Sequence, residues 1–177
     1  MVVLAGGTSR RFGSDKLAAP LGDTTVLDVL VGSLPPGWPV LVVGPRRPLV
    51  REVGWVREDP PGGGPLAGVA AALAVVRSAV VAVVAGDMPY AGPAVATLVS
   101  TLLTAPPEVG AVIAVDGTGV PNPLLAAYRT AEALAVLPPS AGGRPARLLL
   151  EVAHVEITFT DDVVRDIDSP GDLPGRE

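Results

Sequence analysis

Glycines and basic residues are concentrated in one short stretch near the start of the chain, VVLAGGTSRRFGSDKL, from Val2 to Leu17. Four apolar residues lead into Gly6 and Gly7, and glycines let backbone N–H groups approach a phosphate closely. Lys16 is the single lysine among the 13 lysines and arginines of the chain. A compact ammonium group suits one phosphate oxygen in a tight site better than a wide guanidinium does. The stretch therefore predicts phosphate binding, although an arginine-biased composition could also leave one lysine there by chance.

The same stretch lacks the patterns of two common phosphate-binding loops. A Walker A loop requires Gly-Lys followed by Ser or Thr, and the dinucleotide fingerprint requires G-x-G-x-x-G. Neither order of residues is present here. A dehydrogenase is therefore not expected, and the loop is interpreted as a different kind of phosphate cradle.

An aspartate follows the most apolar run of the chain, in VVAVVAGDMP. Asp87 lies where this run ends, and Pro89 prevents the run from continuing as a strand. A carboxylate in this position can hold Mg²⁺, which binds few protein carboxylates and completes its shell with water and phosphates. The alternative is that Asp87 only caps a helix that begins near Pro89.

Three further motifs contain candidate site residues. In EDPPGGGPLAG, Asp59 precedes three glycines and Pro65, and a glycine-rich loop before a helix can lie along a base or ribose or face an anion. In RDID, Asp166 and Asp168 alternate and are expected on the same side of a strand. One of them is a second metal ligand, or both are simply solvated. Arg144 either contacts a phosphate or is a surface charge at a helix start.

Alternating apolar runs predict the elements that position these residues. Short valine-rich runs without alternation are typical of strands covered on both faces. They are Val2–Ala5, Val40–Val43, Val80–Ala85 and Ala111–Val115. Helical spacing lies between them in TTVLDVLVGSL, with Asp23 as its expected N-cap, in PLAGVAAALAVV and in GPAVATLVSTLL. Alternation of strands and helices predicts a mostly parallel sheet wrapped by helices.

The remaining segments complete a Rossmann-like three-layer α/β/α sandwich, which is expected to form one domain over residues 1–177. VGWV, NPLLAAYR and HVEITF are predicted strands, GGRPARLLLEV a short helix, and VVRDIDSPGDL a final strand followed by a turn. Ligands of open parallel sheets collect beyond the carboxyl ends of the strands. The glycine, lysine and aspartate motifs all follow predicted strands, so the site is expected at that edge.

Composition excludes several classes of protein. Net charge is −5, and Lys and Arg never form runs longer than two, so a nucleic-acid binder is not expected. The absence of cysteine excludes disulfides and thiolate metal sites, and the lone His154 on a predicted strand is interpreted as structural. No targeting segment is visible, and Arg77 and Ser78 interrupt the apolar run between Leu66 and Gly86. The expected location is the cytoplasm, without a membrane partner.

Taken together, the motifs resemble those of the molybdenum cofactor guanylyltransferases, within the nucleotidyltransferases of glycosyltransferase-A-like fold. The matching stretches, in chain order, are LAGGTSRRFGSDKL, EDPPGGGPLAG, AGDMP, NPLLAAY and DIDSPGDL. The resemblance implies transfer of GMP from GTP to the terminal phosphate of molybdopterin, with Mg²⁺ and release of pyrophosphate. Molybdoenzymes or their chaperones are the implied recipients of the product.

The resemblance also implies roles for individual residues. Leu4, Ala5, Gly6 and Gly7 would line the nucleotide, Lys16 and Arg10 or Arg11 would bind its phosphates, Asp59 would contact the nucleoside, and Asp87 would hold Mg²⁺. LAGG and GPLAG resemble the guanylyl branch of the family. Three features depart from its pattern: RFGSDK is one residue shorter than usual, Gly44-Pro45 replaces an asparagine, and DID resembles the cytidylyl relatives. Transfer from CTP, transfer to a sugar phosphate and a non-catalytic nucleotide-binding module therefore stay open as alternatives.

Overall fold

The computed structural model describes residues 1–7 and 12–173. The strands are β1 (Val2–Leu4), β2 (Pro20–Leu21), β3 (Thr24–Thr25), β4 (Leu41–Val43), β5 (Gly54–Val56), β6 (Val80–Ala85), β7 (Ala111–Val115), β8 (Pro121–Arg129) and β9 (His154–Thr158). The α-helices are α1 (Val26–Ser33), α2 (Pro65–Leu73), α3 (Gly92–Thr104), α4 (Thr130–Ala135) and α5 (Asp161–Val164). Short 3₁₀ helices cover Lys16–Ala18, Ala146–Glu151 and Pro170–Asp172. In the ranges described, no helix combines the length and the apolar character needed to cross a membrane.

Seven strands form one sheet in the order β5-β4-β1-β6-β8-β7-β9. All neighbouring pairs are parallel except those of β8, which runs antiparallel to β6 and β7. The carboxyl ends of the six parallel strands and the amino end of β8 therefore lie at the same edge of the sheet. Strands β2 and β3 form a separate antiparallel hairpin. The expected mostly parallel sheet is confirmed.

Both faces of the sheet are covered, because apolar side chains alternate between two cores. Val81 and Val83 of β6 pack with α2, α4 and the 146–151 segment. Ala82 and Val84 of the same strand pack with α1 and α3. Successive side chains of each central strand point to opposite faces of the sheet, and both faces are apolar. This explains the unbroken valine runs of the sequence. The three-layer architecture is confirmed.

Helix α1 begins later than the sequence predicts. Residues 20–21 and 24–25 pair as strands, so Asp23 lies in the hairpin turn rather than at the helix N-cap. Thr25 is the N-cap, and its Oγ1 accepts a hydrogen bond of 3.2 Å from the Asp28 N–H. The prediction of Asp23 as the cap is wrong because a two-residue strand pairing is invisible in the local pattern.

The predicted final strand is also wrong. Residues 161–164 form the short helix α5, and 165–168 follow it without pairing to a neighbouring strand. A single backbone hydrogen bond of 2.8 Å, from the Ile167 N–H to the Asp87 carbonyl oxygen, joins this segment to the end of β6. Ile167 is buried. The buried Ile167, this backbone hydrogen bond and an ion pair of Asp168 with Lys16 thus help to hold an extended segment whose residue pattern resembles a strand.

Candidate active site

The loops at the carboxyl edge approach one another closely, and glycines allow it. An added Cβ on Gly44, just after β4, would lie 2.6 Å from the Ala5 carbonyl oxygen. Gly44 also has a φ of 143°, which favours glycine. An added Cβ on Gly86, just after β6, would lie 2.8 Å from the Leu4 carbonyl oxygen. The loops that follow β4, β1 and β6 are therefore packed backbone against backbone.

A cavity of about 340 Å³ opens between these loops and the start of α2. It is lined by Leu4, Gly6, Gly7, Val43, Glu58, Gly62, Gly64, Pro65, Gly68, Ala85, Asp87 and Leu124. Gly68 brings α2 against β1 and β4, because an added Cβ there would lie 3.3 Å from Leu4 and 3.4 Å from Val43. Four of the sequence-predicted site residues, Leu4, Gly6, Gly7 and Asp87, line this cavity. Ala5 is fully buried behind them.

Lys16 lies among carboxylates beside Asp87, which lines this cavity. Its Nζ is 2.5 Å from Asp87 Oδ2 and 3.1 Å from Asp168 Oδ1. Burial alone would lower the pKa of Lys16, but the hydrogen bonds and charges of Asp87 and Asp168 outweigh burial and raise that pKa. The ammonium group is therefore charged at neutral pH and acts as the counter-ion of the two aspartates.

Three carboxylates converge at this point. Oxygen atoms of Asp87, Asp166 and Asp168 lie within 4.8 Å of one another. The buried Ile167 between the last two holds them there through its hydrogen bond to the Asp87 carbonyl. Hard carboxylate oxygens are the ligands that Mg²⁺ prefers, so this donor set fits a magnesium ion. Asp166 and Asp168 thus meet Asp87 as the alternation suggested, although they lie on an extended segment rather than a strand.

The crowding of the three carboxylates predicts a pH-dependent stability effect at Asp166. Burial, followed by the charges of Asp168 and Asp87, raises the pKa of this carboxyl above 3.8, so its ionisation destabilises the folded state. Asp166→Asn should raise the melting temperature of the metal-free protein at pH 7 by about 1–3 °C. The gain should fade as the pH falls through the raised pKa and vanish below 3.8. Thermal unfolding from pH 3 to 8 measures this, and an equal shift at every pH would contradict it.

Glu58 is a site residue that the sequence reasoning missed. Its Oε1 accepts a 3.0 Å hydrogen bond from the Gly62 N–H, and its buried Oε2 has no hydrogen-bond partner within residues 1–7 and 12–173. Asp59, the predicted nucleoside contact, instead lines the neighbouring cavity with Ser140 and Gly142. The sequence did contain a signal for Glu58, because side chains alternate along a strand with a period of two. Val56 packs on the α2 side, and Glu58, two residues later, points the same way.

The other candidates lie elsewhere. Arg10 and Arg11, one of which is predicted to bind the phosphates during catalysis, lie outside the described residues. Arg144 is exposed. Its loop contacts the glycine-rich loop before α2, because the Gly143 N–H donates a hydrogen bond of 2.8 Å to the Gly63 carbonyl oxygen. His154 is at the amino end of β9, the opposite edge of the sheet, with its Nδ1 2.7 Å from the Val152 carbonyl oxygen. That placement agrees with a structural role for His154.

A second cavity, of about 630 Å³, lies on the other side of the carboxylates. It is lined by Ala114, Asp116, Thr118, Val120, Pro121, Asn122, Pro123, Asp161, Asp162, Val164, Arg165 and Asp166. Asp166 belongs to this cavity and Asp87 to the smaller one, yet both belong to the same carboxylate cluster. The cluster therefore lies between two cavities, as a site that joins two substrates requires.

Known proteins similar to this chain agree with its motifs. The family description MobA-like NTP transferase domain matches residues 1–156. A Mycobacterium tuberculosis protein named probable molybdenum cofactor guanylyltransferase is 40% identical over 139 residues, which cover 73% of this chain and 67% of the relative.

Solved structures share the fold. Molybdopterin-guanine dinucleotide biosynthesis protein A from Archaeoglobus fulgidus has a TM-score of 0.72 at 23% identity, with 97% of this chain and 93% of that chain covered. A nucleotidyl transferase from Methanothermobacter thermautotroptrophicus has a TM-score of 0.74 at 21% identity, with coverages of 97% and 92%. The resemblance inferred from the motifs is confirmed: the chain belongs to the MobA-like NTP transferase family and is a nucleotidyltransferase.

Proposed function

We propose that this enzyme transfers GMP from GTP to the terminal phosphate of molybdopterin, with Mg²⁺, and releases pyrophosphate. The observation that supports it most is the meeting of Lys16 and three carboxylates beside a glycine-lined cavity at the carboxyl edge of the sheet. Support for guanylyl transfer comes from the relatives of 40% identity, which are named probable molybdenum cofactor guanylyltransferases. Residues 1–177 would act as one catalytic domain in the cytoplasm and supply the product to molybdoenzymes or their chaperones.

The proposed reaction needs positioning and charge neutralisation more than proton transfer. A phosphate oxygen attacks the α-phosphorus of the nucleotide, the bond to the β,γ-pyrophosphate breaks, and pyrophosphate leaves. A phosphate nucleophile is already ionised, so no general base is required, which fits the absence of a histidine from both cavity linings. Two polyanions must still approach each other, and fixed positive charge lowers that barrier.

Asp87, with Asp166 and Asp168, would hold Mg²⁺ through the cluster of oxygens described above. When bound there, Mg²⁺ supplies positive charge to the reacting phosphates. Lys16 forms ion pairs with two of these three carboxylates, those of Asp87 and Asp168. When the nucleotide binds, we therefore expect its ammonium group to turn from Asp87 toward the phosphates. Gly6 and Gly7 would lie along the nucleotide, since they line the cavity next to Asp87.

The two cavities indicate how the substrates would be arranged. The nucleotide would occupy the smaller one. There Glu58 offers a buried oxygen, which no described residue hydrogen-bonds, to a donor of the nucleoside such as the N–H groups of guanine. The acceptor would approach from the larger cavity, whose wall includes Asp166. The carboxylate cluster between them would then face both reacting phosphates.

Pyrophosphate release in the presence of Mg²⁺ tests this function. GTP, CTP and ATP are each offered with molybdopterin, and GTP is also offered with a panel of sugar phosphates. Release that requires both GTP and molybdopterin is expected, together with a rise in melting temperature with Mg²⁺ and GTP only. Preference for CTP would assign the cytidylyl reaction instead, turnover with a sugar phosphate alone would overturn the acceptor, and nucleotide binding without turnover would indicate a binding module.

A further inference from the structure

Arg47, in the loop between β4 and β5, makes a set of contacts that its sequence context does not suggest. Its side chain is only 11% exposed. Nε donates to Asp15 Oδ2 at 2.7 Å and Nη2 donates to Asp15 Oδ1 at 3.1 Å. Nη1 donates to the carbonyl oxygens of Ala5 at 2.9 Å and Pro45 at 3.1 Å. One guanidinium thus binds a carboxylate through two nitrogens and two carbonyl groups through the third.

The two main partners of Arg47 are the ends of the phosphate loop. Ala5 immediately precedes Gly6 and Gly7, and its N–H is fixed to the Val43 carbonyl oxygen at 2.8 Å. Asp15 immediately precedes Lys16 and caps the turn that contains it, by accepting the Leu17 N–H at 3.2 Å. Arg47 therefore connects the last residue before the loop to the first residue after it.

The charges at this junction support a durable contact. Burial alone would raise the pKa of Asp15, but the hydrogen bond and charge of Arg47 outweigh burial and lower it. The carboxylate is therefore ionised, and a bidentate arginine–carboxylate pair is stronger and more directional than a neutral hydrogen bond. Lysine could not replace this geometry, because its ammonium group lacks the planar fork that reaches both partners.

We propose that Arg47 is a positioning residue that joins Ala5 to Asp15, a contact that we call loop closure, and so holds Gly6, Gly7 and Lys16 in place before the nucleotide arrives. The proposal rests on the proposed function, which makes Lys16 and the loop a phosphate site. Because Gly6, Gly7 and Lys16 are then already held in place, binding of the nucleotide costs less conformational entropy. Affinity improves without any contact between Arg47 and the nucleotide. Arg47 would therefore act on nucleotide affinity through Asp15 and Ala5.

Arg51 in the same loop offers a matched control. Its Nη1 donates to the carbonyl oxygens of Val31 and Leu34, and its Nη2 to those of Pro35 and Trp38, at 2.7–3.2 Å. It is as heavily hydrogen-bonded as Arg47, but its partners belong to the end of α1 and the segment after it. A general loosening of the fold should affect Arg47→Lys and Arg51→Lys alike, whereas loop closure concerns Arg47 alone.

Arg47→Lys, Asp15→Asn and the double variant test the proposal by calorimetric titration with Mg²⁺ and GTP. Each single change should weaken binding by about 10-fold, and the double variant by little more than either, because the two residues act through one contact. Arg51→Lys should bind nucleotide within about twofold of the wild type. Equal losses in Arg47→Lys and Arg51→Lys, or unchanged binding in Arg47→Lys, would overturn the proposal.

Amide hydrogen exchange of the nucleotide-free protein separates this proposal from the proposed function. Exchange of the peptide spanning residues 12–18 should accelerate at least about fivefold in Arg47→Lys and stay at the wild-type rate in Arg51→Lys. Unchanged exchange in Arg47→Lys would refute loop closure even if the enzyme proves active. A wild type that fails to bind GTP would refute the proposed function, while the exchange rates would still decide the role of Arg47.

Discussion

Lys16→Ala is expected to lower the rate of pyrophosphate release by at least about 10²–10³-fold, the usual effect of removing one preorganised charge from a site. Lys16 is the cation that the structure places beside Asp87 and Asp168, and the proposed reaction increases the need for positive charge there. The variant should remain folded, because Lys16 begins only a three-residue turn and its ion pairs with Asp87 and Asp168 lie in a partly exposed site. Steady-state kinetics with GTP and Mg²⁺ measure the loss.

The same substitution should have an opposite effect on the metal alone. With the ammonium group gone, Asp87 and Asp168 lose the positive charge of Lys16 that competes with a metal ion for their oxygens, so Lys16→Ala should bind Mn²⁺ more tightly than the wild type in the absence of nucleotide. Lys16→Arg is the control, because it keeps the charge but changes its shape. Near-normal turnover in Lys16→Ala would contradict the role of Lys16, and unchanged Mn²⁺ affinity would contradict its role as counter-ion.

Asp87→Ala is expected to lower turnover by at least about 10²–10³-fold as well, but for a different reason. Asp87 lines the smaller cavity and belongs to the carboxylate cluster, so its removal takes away the proposed magnesium ligand nearest the nucleotide. The backbone hydrogen bond from Ile167 goes to the Asp87 carbonyl, which alanine retains, and the fold should therefore persist. Circular dichroism and thermal unfolding check the fold beside the kinetic assay.

Rates measured across a series of Mg²⁺ concentrations identify the cause of that loss. If Asp87 is the metal ligand, part of the activity should return at high Mg²⁺, with a half-saturating concentration well above that of the wild type. Asp23→Ala, a change of an exposed carboxylate in the β2–β3 turn, should leave both rate and magnesium dependence unchanged. A turnover close to normal in Asp87→Ala would refute the assignment.

The sequence was most informative where the structure depends on local patterns. The valine-rich runs of β6 and β7 predict those strands to the residue, because both faces of the strands are buried. The position of Asp87 and of the glycines after parallel strands then predicts that they share one edge of the sheet. The fold class and the central part of the site follow from these two arguments.

Non-local contacts account for what the sequence could not reveal. NPLLAAYR predicts a strand, but nothing local indicates that β8 runs antiparallel between β6 and β7. The association of Asp166 and Asp168 with Asp87 depends on contacts across about 80 residues of chain, among them the backbone hydrogen bond of Ile167 to Asp87. Arg47 resembles its neighbour Arg46 in the sequence, and only the folded loop distinguishes them. The period of two places Glu58 on the same side as Val56, but only the folded sheet shows that this side faces the cavity.

Because β8 is antiparallel to its neighbours, its amino end lies at the carboxyl edge of the parallel strands. This placement determines how the substrate preference of the enzyme can evolve. Pro123 lines the larger cavity and Leu124 the smaller one, so the amino end of β8 is a wall that the two cavities share. Residues of 114–120 and 161–165 line the larger cavity, and among the described residues none of them belongs to the lining of the smaller cavity. These segments can therefore diverge so that the enzyme binds new acceptors. Mutations at residues 123–124 would instead alter the preference for the nucleotide and the preference for the acceptor together.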